Sequence, residues 1–155
     1  MNRVEELYAH AIAIEREAAE RYGELAERME DLGYEAVAEV FARLAQFEGE
    51  HLDRLLRRAA GAGELAPGQY RWSDADAPET LPRRLDPHAL SSRGALRLAL
   101  AAEYRAHAFF EGALLRADDP ALRALAAEMA RDEAEHIELL ERLLEQADEA
   151  LEDRV

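Results

Sequence analysis

Cysteine is absent from this 155-residue chain. That excludes disulfides, thiolate zinc sites, iron–sulfur ligation and a cysteine nucleophile, so any metal must be bound by histidine and carboxylate side chains. Long apolar runs are missing as well: no segment approaches the roughly 20 apolar residues of a membrane span. The opening Met1-Asn2-Arg3-Val4-Glu5-Glu6 has no apolar stretch after a basic region, and a cytoplasmic location is expected. Positive charge is in short supply, with 19 basic residues against 34 acidic ones and a formal net charge of −15. A nucleic-acid binder needs a basic footprint and adsorption to an anionic membrane needs the same, so neither partner is expected. Lysine does not occur, every basic residue being arginine; this reads as genome composition with no functional weight.

What the chain does hold is Ala, Leu, Glu and Arg, all strong helix formers, with few β-branched residues. An all-α fold follows, and the length suits a single domain over 1–155 with a real core. The surplus of acid is compatible with attracting cations and equally with a plain solvated surface.

Apolar residues recur at helical spacing in four stretches. The first, over about 3–32, carries the stripe Val4, Tyr8, Ala11, Glu15, Ala18, Tyr22, Leu25, Met29 and Leu32, and Gly33 supplies its stop. The second, about 34–60, carries Val37, Phe41, Leu44, Glu48, His51 and Leu55. Segment 61–86 scatters Gly and Pro through polar sequence and reads as a long crossover inside one bundle, with Tyr70 and Trp72 packing it down or, alternatively, binding something. Asp86-Pro87 reads as an N-cap and first-turn Pro opening a third helix at about 87–117, with Leu96, Ala99, Glu103, Ala106, Phe110, Ala113 and Ala117 inward. Asp119-Pro120 repeats that signal for a fourth helix, about 120–153, with Leu122, Ala126, Met129, Glu133, His136, Leu140, Leu143 and Ala147 inward. The expected architecture is an antiparallel four-helix bundle with a long crossover between helices 2 and 3.

Each hairpin has one Glu on the seam of its first helix and a Glu-x-x-His on the seam of its second. Residues three apart on a helix are neighbours, so each motif can grip one ion with both side chains. Residues equally far from the turn of a hairpin lie level. Glu15 is 17 residues before Leu32, with Glu48 and His51 16 and 19 after it; Glu103, Glu133 and His136 match about the 118–119 turn. Buried carboxylates without partners would cost several kcal/mol each or be forced to protonate. Two divalent cations remove that difficulty, since four carboxylates and two neutral imidazoles balance +4. Oxygen donors with one imidazole per ion suit iron or manganese better than zinc.

The set Glu15, Glu48-x-x-His51, Glu103, Glu133-x-x-His136 resembles the ferritin-like di-iron superfamily, in particular rubrerythrin and bacterioferritin, and the likeness spans all four helices. The family's Glu-x6-aromatic spacing is present as Glu15 to Tyr22 and Glu103 to Phe110. The resemblance implies two iron ions, or manganese in their place, with Glu48 and Glu133 bridging, Glu15 and Glu103 terminal, and His51 and His136 on one ion each. Tyr22 retains a hydroxyl that can bond a ligand carboxylate, where Phe110 has none. Asp132, just before Glu133, is expected to orient a ligand histidine, and Phe47 stands at the equivalent place in the first half. His107 beside the seam is either a further ligand or proton donor, or a structural histidine.

Departures are equally specific. Rubrerythrins carry a Cys-ligated rubredoxin-type iron site that this chain lacks, and Ala106 stands where they have an extra Glu. The resemblance therefore implies a rubrerythrin-like di-iron oxidoreductase, a homodimer, reducing dioxygen or hydrogen peroxide with electrons from a separate donor protein. The alternatives are a bacterioferritin-like ferroxidase subunit for iron storage and a metal-free helical interaction module.

Overall fold

The computed structural model describes residues 3–60 and 91–152, which form α1 (Arg3–Asp31), α2 (Glu35–Ala60), α3 (Ser92–Arg116) and α4 (Pro120–Glu152), without a strand. Helix α1 starts with Glu5 and Glu6 in its first turn and has Arg28 in its last, charges that complement the helix dipole. It ends in a Schellman turn. Gly33 takes φ +84°, its N–H donates to Glu30 O at 3.0 Å, and the Tyr34 N–H donates to Met29 O at 2.8 Å. This turn carries the chain away from the bundle, so Leu32, expected on the inward stripe, is 37% exposed and the seam stops at Met29.

Helix α3 begins later than expected. The Asp86-Pro87 signal and the 61–86 crossover, with Tyr70 and Trp72, lie outside the described residues. Ser91 is the N-cap, its hydroxyl accepting the Gly94 N–H at 3.0 Å. Helix α4 starts as read from the sequence: Asp119 accepts the Ala121 N–H at 2.7 Å, and Pro120 occupies the first turn, where its missing N–H costs nothing.

The hairpins α1–α2 and α3–α4 are the tightest pairs, and α1 also meets α3 and α4. Contacts between α2 and α4 include Glu48 with His136, His51 with Asp132 and Arg58 with Glu128. The residue number rises along one helix as it falls along the other, so these two run antiparallel. Apolar side chains gather in two separate cores. One holds Tyr22, Leu25, Met29, Phe41, Leu44, Leu96 and Leu140 at the α1–α2 turn. The other holds Leu7, Ile14, Leu55, Phe110, Leu122 and Met129 at the α3–α4 turn. What separates them is a layer of buried polar side chains at mid-bundle. No described helix is long and apolar enough to cross a membrane.

Ser91→Ala removes the acceptor for an otherwise orphaned N–H and is expected to lower stability by about 1 kcal/mol, read from the midpoint of chemical unfolding. An unchanged midpoint would show that the cap carries no weight.

Candidate metal centre

The mid-bundle layer consists of Glu15, Glu48, Glu103 and Glu133, all fully buried, with His51 and His136 at 3% and 5% exposure. Every one is a charged or polar member of an otherwise apolar stripe, delivered inward because its neighbours on that stripe must be buried. Glu15 comes from α1, Glu48 and His51 from α2, Glu103 from α3, and Glu133 and His136 from α4.

Their donor atoms fall into two groups, within each of which all lie no more than 4.8 Å apart: Glu48, Glu103, Glu133 and His136, and Glu15, Glu48 and His51. Glu48 belongs to both. His136 Nδ1 stands 3.0 Å from Glu48 Oε1, 3.4 Å from Glu103 Oε1 and 4.0 Å from Glu133 Oε2. His51 Nδ1 stands 3.7 Å from Glu15 Oε1. Two donors about 2.1 Å from a common ion and about 90–110° apart are about 3.0–3.4 Å from each other, so these separations are close to the edges of a coordination polyhedron. They are poor hydrogen bonds. Neither oxygen of Glu15 or of Glu48 accepts a hydrogen bond of proper geometry, and neither nitrogen of His136 makes one. Side chains that converge on a point without bonding to one another fit a cation between them, and the donor set could hold two.

Around this set, the Tyr22 hydroxyl donates to Glu103 Oε1, across from α1 to α3. Asp132 Oδ2 lies 2.5 Å from His51 Nε2, an ion-pair contact without proper hydrogen-bond alignment, and Nδ1 faces Glu15 on the other side of the ring. Phe47 covers the edge of the layer, its ring centroid 5.3 Å from that of His51 and 4.8 Å from that of His136. Sequence reading gave Phe47 no task, although its place directly before Glu48, where the second half has Asp132 before Glu133, was the available signal.

His107 is not brought into the layer. Its Nδ1 lies 3.8 Å from Glu111 and its side chain is 26% exposed, because one residue beyond buried Ala106 is about 100° further round the helix. His10 packs against Phe109, and burial, with Glu6 opposing, pushes its imidazole down to about 4.

Protons balance the layer when no cation does. Burial drives the Glu15 carboxyl above the usual range, with His51 pulling the other way. Burial alone would lower the imidazole of His51, but Asp132 and then Glu15 outweigh it and raise the group to about 9. His136 is raised too: Glu103 chiefly overcomes the effect of burial.

The fold and this cluster define an all-α four-helix bundle whose centre could hold a pair of metal ions. The chain belongs to the ferritin-like family, whose ferritin-like domain matches residues 5–150. It is similar to an uncharacterized conserved protein from Magnetospirillum magnetotacticum MS-1 of known crystal structure, at 36% identity and a TM-score of 0.76, over 94% of this chain and 95% of that one. No curated protein matches it.

The proton on His51 sets the sign of the pH dependence. Below about pH 9 a cation must displace it, so metal uptake near neutral pH is expected to release protons and tighten as pH rises toward 9. Calorimetry of uptake in two buffers of different ionisation enthalpy reads the number released; equal heats in both would contradict the assignment.

Proposed function

We propose that the protein is a rubrerythrin-like di-iron, or di-manganese, oxidoreductase that reduces dioxygen or hydrogen peroxide with electrons from a separate donor protein. The observation that carries this reading is the convergence of four buried carboxylates and two imidazoles in two groups that share Glu48. A metal-free helical module would be destabilised by that burial, whereas a bacterioferritin-like ferroxidase would share it.

In this reading Glu15, Glu48, His51, Glu103, Glu133 and His136 would hold the two ions, with Glu48 placed within reach of both. An oxygen-rich donor set with one nitrogen per ion suits iron or manganese. When bound, iron supplies the two-electron change that takes hydrogen peroxide and two protons to two waters, and the absence of cysteine leaves its recharging to another protein. The chain's own residues hold the ligands still. Tyr22 keeps Glu103 in place and holds a proton at its Oε1, available to a product oxygen. Asp132 fixes the ring of His51. The apolar cores above and below exclude water, which strengthens every charge interaction between them. His107, turned toward Glu111, is given no part, and the cytoplasm is the proposed compartment.

Protein loaded with ferrous ion is expected to be oxidised by peroxide or oxygen faster than free ferrous ion is, with His107→Ala as a control that leaves the rate unchanged. Oxidation no faster than free ion would sink the proposal. Glu48→Ala removes the shared ligand and is expected to abolish the increase in melting temperature that ferrous or manganous ion gives the parent protein. Size-exclusion chromatography is expected to show a dimer; a 24-subunit particle would favour the bacterioferritin-like ferroxidase instead.

A further inference from the structure

Where α2 faces α4, each helix presents a stripe that steps three and four residues at a time. On α2 it runs Val40, Arg43, Phe47, His51, Arg54, Arg58, and on α4 it runs Leu143, Leu139, Glu135, Asp132, Glu128. Glu48 with His136, His51 with Asp132 and Arg58 with Glu128 set the register of the two antiparallel helices. Phe47 therefore stands level with Leu139, and Arg54 stands within a turn of Glu135.

The flank has an apolar half and a charged half. Toward the α1–α2 turn lie Phe47, 36% exposed, and Val40, Leu139 and Leu143, which the core beneath covers only in part. Toward the α3–α4 turn the charges are sorted by helix: Arg54 and Arg58 on α2, Glu128, Asp132 and Glu135 on α4. Contacts within the chain use only some of them. Arg58 binds Glu128 at 2.6 Å, whereas Arg54 and Glu135 are exposed and make no ion pair among the described residues.

A surface with cations on one side and anions on the other complements itself. A two-fold rotation about an axis parallel to the bundle and just outside this flank keeps every height and exchanges α2 with α4. It lays Phe47 of one copy on Leu139 of the other and Arg54 beside Glu135, twice over, so that apolar meets apolar in one half and basic meets acidic in the other. A partner of uniform charge would leave one row opposed by its own sign. The α2 stripe is about 27 Å long and two helices are about 20 Å wide, so the flanks of two copies together clear the roughly 1,000 Å² that a specific interface needs.

We propose that two copies of this chain associate through the α2–α4 flank, with Phe47 and Leu139 at the centre of the interface and two reciprocal Arg54–Glu135 pairs beside them. The inference rests on the dimer expected above and gives it a surface. It also gives the dimer a bearing on the candidate centre: the second copy covers Phe47 and Asp132, which otherwise leave the mid-bundle layer one side facing water. An aromatic side chain desolvated at the middle of an interface carries a large share of the binding energy, and the charged pairs fix the register.

Sedimentation equilibrium of the metal-free protein over a range of concentrations tests the proposal. The parent chain is expected to be a dimer. Arg54→Glu and Glu135→Arg each set like charges against one another and are each expected to weaken the dimer tenfold or more, while the two exchanges together restore it, which separates a lost contact from a lost fold. Because the chain has no cysteine, Arg54→Cys protein mixed with Glu135→Cys protein is expected to be joined by a short bis-maleimide, and either protein alone is not. Hydroxyl-radical footprinting is expected to spare Phe47 in the parent and to modify it in the Arg54→Glu variant. A monomeric parent, a dimer indifferent to both reversals, cross-linking without preference for the mixed pair, or Phe47 equally modified in parent and variant would overturn the inference. Each of these results leaves the di-metal reading standing, since that is tested separately by the oxidation of bound ferrous ion.

Discussion

Four carboxylates buried at the middle of a helical bundle are the constraint to which the rest of this fold answers. Removing one ionised carboxylate from water without compensation costs several kcal/mol, and a domain of this size has a net stability of about 5–15 kcal/mol. Glu15, Glu48, Glu103 and Glu133 together would exhaust it. The chain meets the cost by placing two imidazoles among them, by letting protons or cations neutralise the group, and by closing both ends with apolar cores. Elsewhere, Arg21 shows the ordinary solution to a buried charge: Glu17 and Glu24 bind it at 3.1 and 2.8 Å from the same helix, and nothing further is needed. Within the mid-bundle layer the ligating groups face a common point instead of pairing off.

That contrast separates a site from a structural ion pair. A structural pair is complete in itself, with donor and acceptor matched at hydrogen-bond distance. The spacings around His136 and His51 run from 3.0 to 4.0 Å, and the oxygens of Glu15 and Glu48 stay unbonded. Membership of the ferritin-like family and 36% identity to the Magnetospirillum protein agree with the four-helix bundle that frames this layer.

Much of this was legible in the residues alone, because helix periodicity fixes which side chains face inward. All six layer residues stood out as polar members of apolar stripes, and the level arithmetic put them together. Where periodicity gives way to local backbone chemistry, sequence reading lost its hold. Leu32 fitted the stripe but falls in the turn set by Gly33. Asp86-Pro87, outside the described residues, was read as the start of a helix that begins at Ser92, capped by the Ser91 hydroxyl on the Gly94 N–H. His107 was adjacent to the seam in number but a third of a turn away in angle. Phe47 carries no titratable group, so its place directly before Glu48 was the one signal for its ring contacts with His51 and His136.

The separation of the two apolar cores also decides where the layer comes near water. Among the described residues, Tyr22, Phe41 and Leu140 close one end of the layer and Phe110, Ile14 and Met129 the other. Beside the layer, Asp132 and Phe47 retain contact with solvent, and both lie where α2 faces α4. Among the described residues that flank is where the layer comes nearest to water, with the carboxylate of Asp132 on one side and the ring of Phe47 on the other.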